Sequence, residues 1–88
     1  MKKSSKIAKE IKYLLNRHWM YGLDAIGTCV SSNLNAMDGI EQRLAKLVFH
    51  YWVFSGFRYK EITLVFHGRK EKRSFPFGRK SKQFSYLN

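Results

Sequence analysis

GIEQRLAKLVFHYWVFSGFRYKEITLVF, residues 39 to 66, holds both kinds of hydrophobic periodicity and the point where one gives way to the other. From Ile40 to Phe54 apolar residues recur every three or four positions and occupy most of a helix's circumference, leaving Gln42, Arg43, Lys46 and His50 as a narrow polar stripe. Such a helix must be covered on several sides, so the pattern predicts the central element of the fold. Asp38 and Glu41 have capping-box spacing and mark its expected start, and Gly56 marks its stop. From Tyr59 the period becomes two: Ile62, Leu64 and Phe66 face one way and Glu61, Thr63 and Val65 the other, which is the pattern of a half-buried strand.

Beyond this stretch, the polar segment His67 to Lys72 reads as a turn into a return strand through Phe75 and Phe77, with Pro76 confining that strand to a sheet edge. Phe84 and Tyr86 fit a third, short strand. Before it, Leu23, Ile26, Val30, Leu34 and Met37 follow a helical stripe, although Gly27, Thr28, Ser31, Ser32 and Asn33 are poor helix formers. The reading is a weaker second helix capped by Asp24, with a strand and loop as the alternative. The first helix is better marked. Ser4 or Ser5 caps it, Ile7, Ala8, Ile11, Leu14, Leu15, His18 and Trp19 share one arc, and it ends near Gly22. The expected fold class is therefore α+β, three helices followed by a C-terminal β-hairpin or short antiparallel sheet. Residues 1–88 are expected to form one domain with flexible extreme termini. A chain of this length buries only about 60% of its unfolded surface, so its core must be dense. Half of its fourteen aromatic residues fall between positions 49 and 66.

Charge separates the ends from the middle. The formal net charge is +11, of which residues 1 to 20 carry +5 and residues 69 to 88 carry +6; the centre is neutral. Self-repulsion of this size on a small protein points to a polyanionic partner, DNA or RNA before an anionic membrane surface. On helix 1, Lys2, Lys3, Lys6, Lys9, Lys12 and Arg17 lie opposite the apolar arc, with Tyr13 in their midst. Cations at one-turn spacing can follow a phosphate backbone, and an aromatic ring among them suits base stacking. In the segment HGRKEKRSFPFGRKSKQFSY, residues 67–86, Arg69, Lys70, Lys72, Arg73, Arg79, Lys80 and Lys82 alternate with rings, which suits single-strand or groove binding. The competing reading has Phe75, Phe77 and Phe84 in the core and the cations as edge protection, and a mixture is expected, with buried rings and functional charges.

Three helices and a hairpin with a cationic tip resemble winged-helix DNA-binding domains, although no family motif is present. That resemblance implies a recognition helix whose Gln42, Arg43 and Lys46 reach base edges. The unusually apolar third helix favours instead a core helix with solubilising charges.

Chemistry is sparse. His18, His50 and His67 are far apart, none has metal-ligand spacing with Cys29, and no nucleophile motif or phosphate loop is present, so no cofactor or metal is expected. The chain reads as a non-enzyme. The exception left open is a small basic ribonuclease acting through His67, Arg69 and Arg73. The lone Cys29 favours a reducing compartment, and the opening MKKSSKIAKEIK lacks the apolar region of a signal peptide, so the expected location is cytoplasmic with no membrane span. A cationic amphipathic helix 1 bearing Trp19 could also lie on an anionic membrane. The function expected is non-catalytic nucleic-acid binding or regulation through two cationic patches. The alternative is a small inhibitor or regulator that docks on an acidic or nucleic-acid-binding surface of a larger enzyme, an acidic protein partner, through Tyr13, Trp19 or Tyr21. Fourteen aromatics also leave room for a homodimer.

Overall fold

One unbroken helix leads into the first strand where the sequence predicts two. A computed structural model describes residues 3–24, 30–66 and 68–86. It contains α1 (Lys3–Asp24), α2 (Val30–Phe54), β1 (Tyr59–Phe66), β2 (Arg69–Ser74) and β3 (Lys80–Ser85). The architecture is α+β with two helices and a mixed sheet of three strands in the order β2-β1-β3. The expectation of three helices and a hairpin is thereby corrected, and with it the winged-helix arrangement and its recognition helix.

The physical reason lies at Asp38 and Gly39. Met37, Ile40, Leu44, Leu47, Val48 and Tyr51 form one continuous stripe, and Leu44, Leu47, Val48 and Tyr51 are buried. The two residues that imitate a helix start are exposed. Asp38 does not cap: its carboxylate accepts from Gln42 Nε2 at 3.2 Å, one turn on within the same helix. Glu41, the other half of the apparent capping box, is engaged by His18 and Arg69. Tertiary packing of the stripe outweighs a local cost of about 1 kcal/mol for glycine in a helix. Upstream, α1 runs two residues past Gly22, and the proposed Asp24 cap is instead its last residue. Positions 25–29, including Ile26, Gly27, Thr28 and Cys29, lie outside the described residues.

A left-handed glycine ends α2. Gly56 has φ +84°, its N–H donates to the Val53 carbonyl at 3.1 Å, and the Phe57 N–H donates to the Trp52 carbonyl at 3.0 Å. These are the two bonds of a Schellman cap, and the ring contact between Trp52 and Phe57 at 4.9 Å supplies its usual apolar clasp. β1 then alternates as its sequence predicts. Ile62, Leu64 and Phe66 are buried against the helices, joining Ile11, Leu15, Leu44, Leu47, Val48, Tyr51, Trp52 and Phe84 in the core. Full burial of a large apolar side chain contributes about 1.5–3 kcal/mol.

β2 departs most from expectation. Residues 69–74, RKEKRS, are exposed throughout, yet they pair antiparallel with β1 from Phe66↔Arg69 to Glu61↔Ser74 across a two-residue loop, where Gly68 has φ +88°. The return strand through Phe75 and Phe77 does not form. Residues 75–79 instead cross beneath the start of β1 and lead into β3, which pairs parallel with β1 on its far edge. Five residues can span well over 15 Å, ample for two strand spacings of about 4.8 Å. The Phe75 N–H donates to the Lys60 carbonyl at 2.8 Å, and the Arg79 and Lys80 N–H groups both donate to the Arg58 carbonyl, at 2.9 and 3.1 Å. Gly78 (φ +141°) lies so close to β1 that a β-carbon there would collide with the Tyr59 carbonyl group and the Lys60 nitrogen. Phe84 is buried as expected, Phe75 is half-buried, and Phe77 is exposed.

The two glycines predict opposite outcomes. Nothing lies within 4 Å of a β-carbon at Gly39, so Gly39→Ala should raise stability by about 0.5–1 kcal/mol. Gly78→Ala should destabilise by about 2 kcal/mol or more through collision and strain. Thermal melts of both variants measure the difference.

Candidate nucleic-acid interface

The sheet topology divides the cations that the sequence places together. α1 packs on β1 and β3, and Trp19 stacks on Tyr86 with ring centroids 5.7 Å apart. Lys80 and Lys82 therefore belong to the strand beside α1, whereas Arg69, Lys70, Lys72 and Arg73 occupy the opposite sheet edge. Strand alternation divides β2 again. Arg69 and Arg73 share the helix side of the sheet with Phe66 and Ile62, while Lys70 and Lys72 share the open face with Val65 and Thr63.

Several of these groups have structural partners. Arg69 bridges Glu41 at 2.8 Å, pairs with Glu71, and lies over the Phe66 ring at 4.4 Å. The same Glu41 carboxylate meets His18 Nε2 at 2.7 Å, and His18 is buried against Phe66 at 4.8 Å, so α1, α2 and the β1–β2 edge meet in one polar cluster. Arg73 approaches the Ala45 carbonyl at 3.5 Å, and Lys72 is 3.8 Å from Glu61. Of the once-proposed reading residues, Arg43 is paired with Glu10 at 3.0 Å and Gln42 with Asp38. Lys2 and His67 lie outside the described residues. Among the described residues no group of three His, Cys, Asp or Glu side chains could hold a metal ion, and no helix is long and apolar enough to cross a membrane.

α1 keeps its cationic face. Lys6, Lys9 and Arg17 are exposed and Lys12 is on the flank, with Tyr13 59% exposed among them. Arg17 Nη2 donates to the Tyr21 hydroxyl at 2.8 Å and lies 5.8 Å from the Tyr13 ring centre, so one guanidinium links two rings along the helix. The bond to Tyr21 raises the Arg17 pKa further above its already high ordinary value. Lys3 sits 5.1 Å from the Phe54 ring, which brings the start of α1 to the end of α2.

At that same end the structure assembles a site that charge counting alone misses. Phe57 and Phe77, 42% and 56% exposed, lie 5.4 Å apart with their planes tilted by 60°. Trp52 supports both, at 4.9 and 5.1 Å, stacks on Phe75 at 4.7 Å and 12°, and donates its indole N–H to the Phe77 carbonyl at 3.2 Å. Beside the rings, Arg58, Arg79 and Lys80 are brought together by the hydrogen bonds to the Arg58 carbonyl. Rings and cations line an open groove of about 520 Å³ with no carboxylate in its wall. Arg79 and Lys80 are sequence-predicted site residues; Phe57 and Arg58 are not. The available signal was the ring-then-cation order repeated in Phe57-Arg58 and Phe77-Gly78-Arg79, whose convergence depends on the crossover.

Trp52→Phe should keep an aromatic ring under the groove while removing the bond to the Phe77 carbonyl. The expected loss is about 1 kcal/mol of stability, with faster amide hydrogen exchange in residues 75–80 and little change in β2; unchanged exchange there would show that this bond does not hold the crossover. Compared with protein-family models, with curated proteins and with solved structures, the chain matches none.

Proposed function

We propose that this protein is a non-catalytic nucleic-acid-binding protein whose phosphate contacts come from the outer face of α1 and from the groove at the start of β1 and β3. The observation that carries the reading is the way the acids are distributed. All five carboxylates whose side chains are described, Glu10, Asp38, Glu41, Glu61 and Glu71, are engaged by internal partners, and these include Arg43, Arg69 and Lys72. Among the described residues, Lys6, Lys9 and Lys12 on α1, and Arg58, Arg79 and Lys80 at the groove, have no ion pair. Surface lysines in a domain of balanced charge would normally find i,i+4 acids. Here the surplus is left for a partner, and a phosphate backbone gains affinity from each such cation by releasing counterions.

The two sets lie on neighbouring elements. The start of α1 meets the end of α2 through Lys3 and Phe54, and the groove opens three residues beyond Phe54. β2 contributes less on this reading, because Arg69 and Lys72 are partly neutralised by Glu41, Glu71 and Glu61.

Affinity for duplex or single-stranded DNA should fall steeply as salt is raised. Replacing Lys6, Lys9 and Lys12 with glutamate should weaken binding and reduce the slope of log K against log salt on duplex DNA by up to about 3, at roughly 0.9 per phosphate contact. A filter-binding or anisotropy titration at several salt concentrations measures this. Salt-independent binding, or no binding to DNA or RNA at low salt, would reject the assignment.

A further inference from the structure

We infer that the groove between Phe57 and Phe77 is a base-stacking site, and that the preferred ligand is a single-stranded nucleic acid with an unpaired base lodged against the two rings. This rests on the nucleic-acid reading above and specifies the form of the ligand.

Phe57 has φ +57°, a left-handed conformation that a bulky residue adopts only when its surroundings impose it. The left-handed residue that the Schellman cap itself requires is Gly56, and Phe57 follows it in the same region with its ring 42% exposed. Its contact with Trp52 accounts for an apolar side chain at this position but leaves much of the ring open to solvent.

Gly78 permits the crossover to press against Tyr59, and the indole N–H of Trp52 fixes the Phe77 carbonyl, so Phe77 is set beside Phe57 by two independent contacts. The rings meet at 60° rather than stacking on each other. Part of their faces is left to the groove, whose volume of about 520 Å³ has room for a nucleobase and its sugar.

Arg58, Arg79 and Lys80 flank the rings and no carboxylate lines the groove, so the ligand carries negative charge beside an aromatic or apolar body. A single strand offers both at nucleotide spacing: phosphates for the cations and a free base face for the rings. Duplex DNA hides its base faces within the stack and meets only the charges.

The test compares three fluorescein-labelled probes: a thymidylate dodecamer, an abasic strand with the same number of phosphates but no bases, and a duplex of twelve base pairs, which carries twice the phosphates and no free base face. The protein should bind the thymidylate strand roughly tenfold more tightly than the abasic strand. In Phe57→Leu/Phe77→Leu that preference should collapse while abasic and duplex affinities stay within about twofold, the ordinary scatter between near-equivalent ligands. Phe77→Tyr, which keeps a ring, should retain it. Thermal melts establish that each variant is folded. Equal affinity for the thymidylate and abasic strands, or a preference that survives removal of both rings, would overturn the stacking site while leaving the phosphate-binding reading intact. Loss of binding to phosphatidylserine vesicles in the double variant, with the strand preference unchanged, would reassign the groove to a lipid surface. Failure of the unmutated protein to bind all three probes at low salt would overturn both readings.

Discussion

Trp52 is the side chain through which the helices, the sheet and the crossover are held in one arrangement. Its backbone carbonyl receives the Phe57 N–H that closes the helix cap and the Ser55 hydroxyl at 2.9 Å. Its ring stacks on Phe75 and packs edge-on to Phe57, and its N–H anchors the Phe77 carbonyl. Trp52 thus closes the cap that Gly56 opens and fixes the segment that carries the chain from one edge of the sheet to the other. Buried indoles need a partner for their polar edge. Here that partner is the crossover backbone, so satisfying the indole and building the groove are a single event.

The consequence for charge follows from strand order. With β1 central, the antiparallel neighbour β2 and the parallel neighbour β3 cannot share an edge. The cationic C-terminal stretch becomes two populations with different surroundings. On β2, Arg69 and Arg73 tie the sheet edge to α2 and Lys72 lies near Glu61 of β1, while Arg79 and Lys80 are delivered to the α1 side with Arg58. Topology thus separates cations engaged by internal carboxylates from those that have no ion pair among the described residues.

How far this was readable from sequence differs by element. α1 and β1 were legible because their periodicity and their burial have one cause, a single apolar face against one core. α2 was legible as a helix but not as one helix, since Asp38 and Gly39 imitate a start and only the continuity of the buried stripe across them argues otherwise. β2 left no hydrophobic trace: Arg69 to Ser74 has no apolar alternation, and it is a strand because β1 offers a free edge one tight loop away. Phe75 and Phe77 looked like strand residues because rings at a spacing of two usually are. Their role as crossover depends on Gly78 and Trp52, which lie close in space and 26 positions apart in the chain. The α1 cations and Arg79 and Lys80 are legible as basic positions in the sequence, whereas the meeting of Phe57 and Arg58 with Phe77 and Arg79 depends on the crossover.

The parallel pairing of β3 with β1 also bears on how the chain survives its own synthesis. β1 is made before either of its neighbours, with one face apolar and both edges unpaired. β2 can close one edge at once through its short loop, but the other edge waits for the crossover and for Phe84, which is 1% exposed in the finished fold. Until the crossover docks, a folding chain presents an open strand edge beside exposed rings, the combination most prone to intermolecular pairing. The positive charge of α1, surplus to the needs of the folded core, opposes the approach of a second like chain while that edge is open.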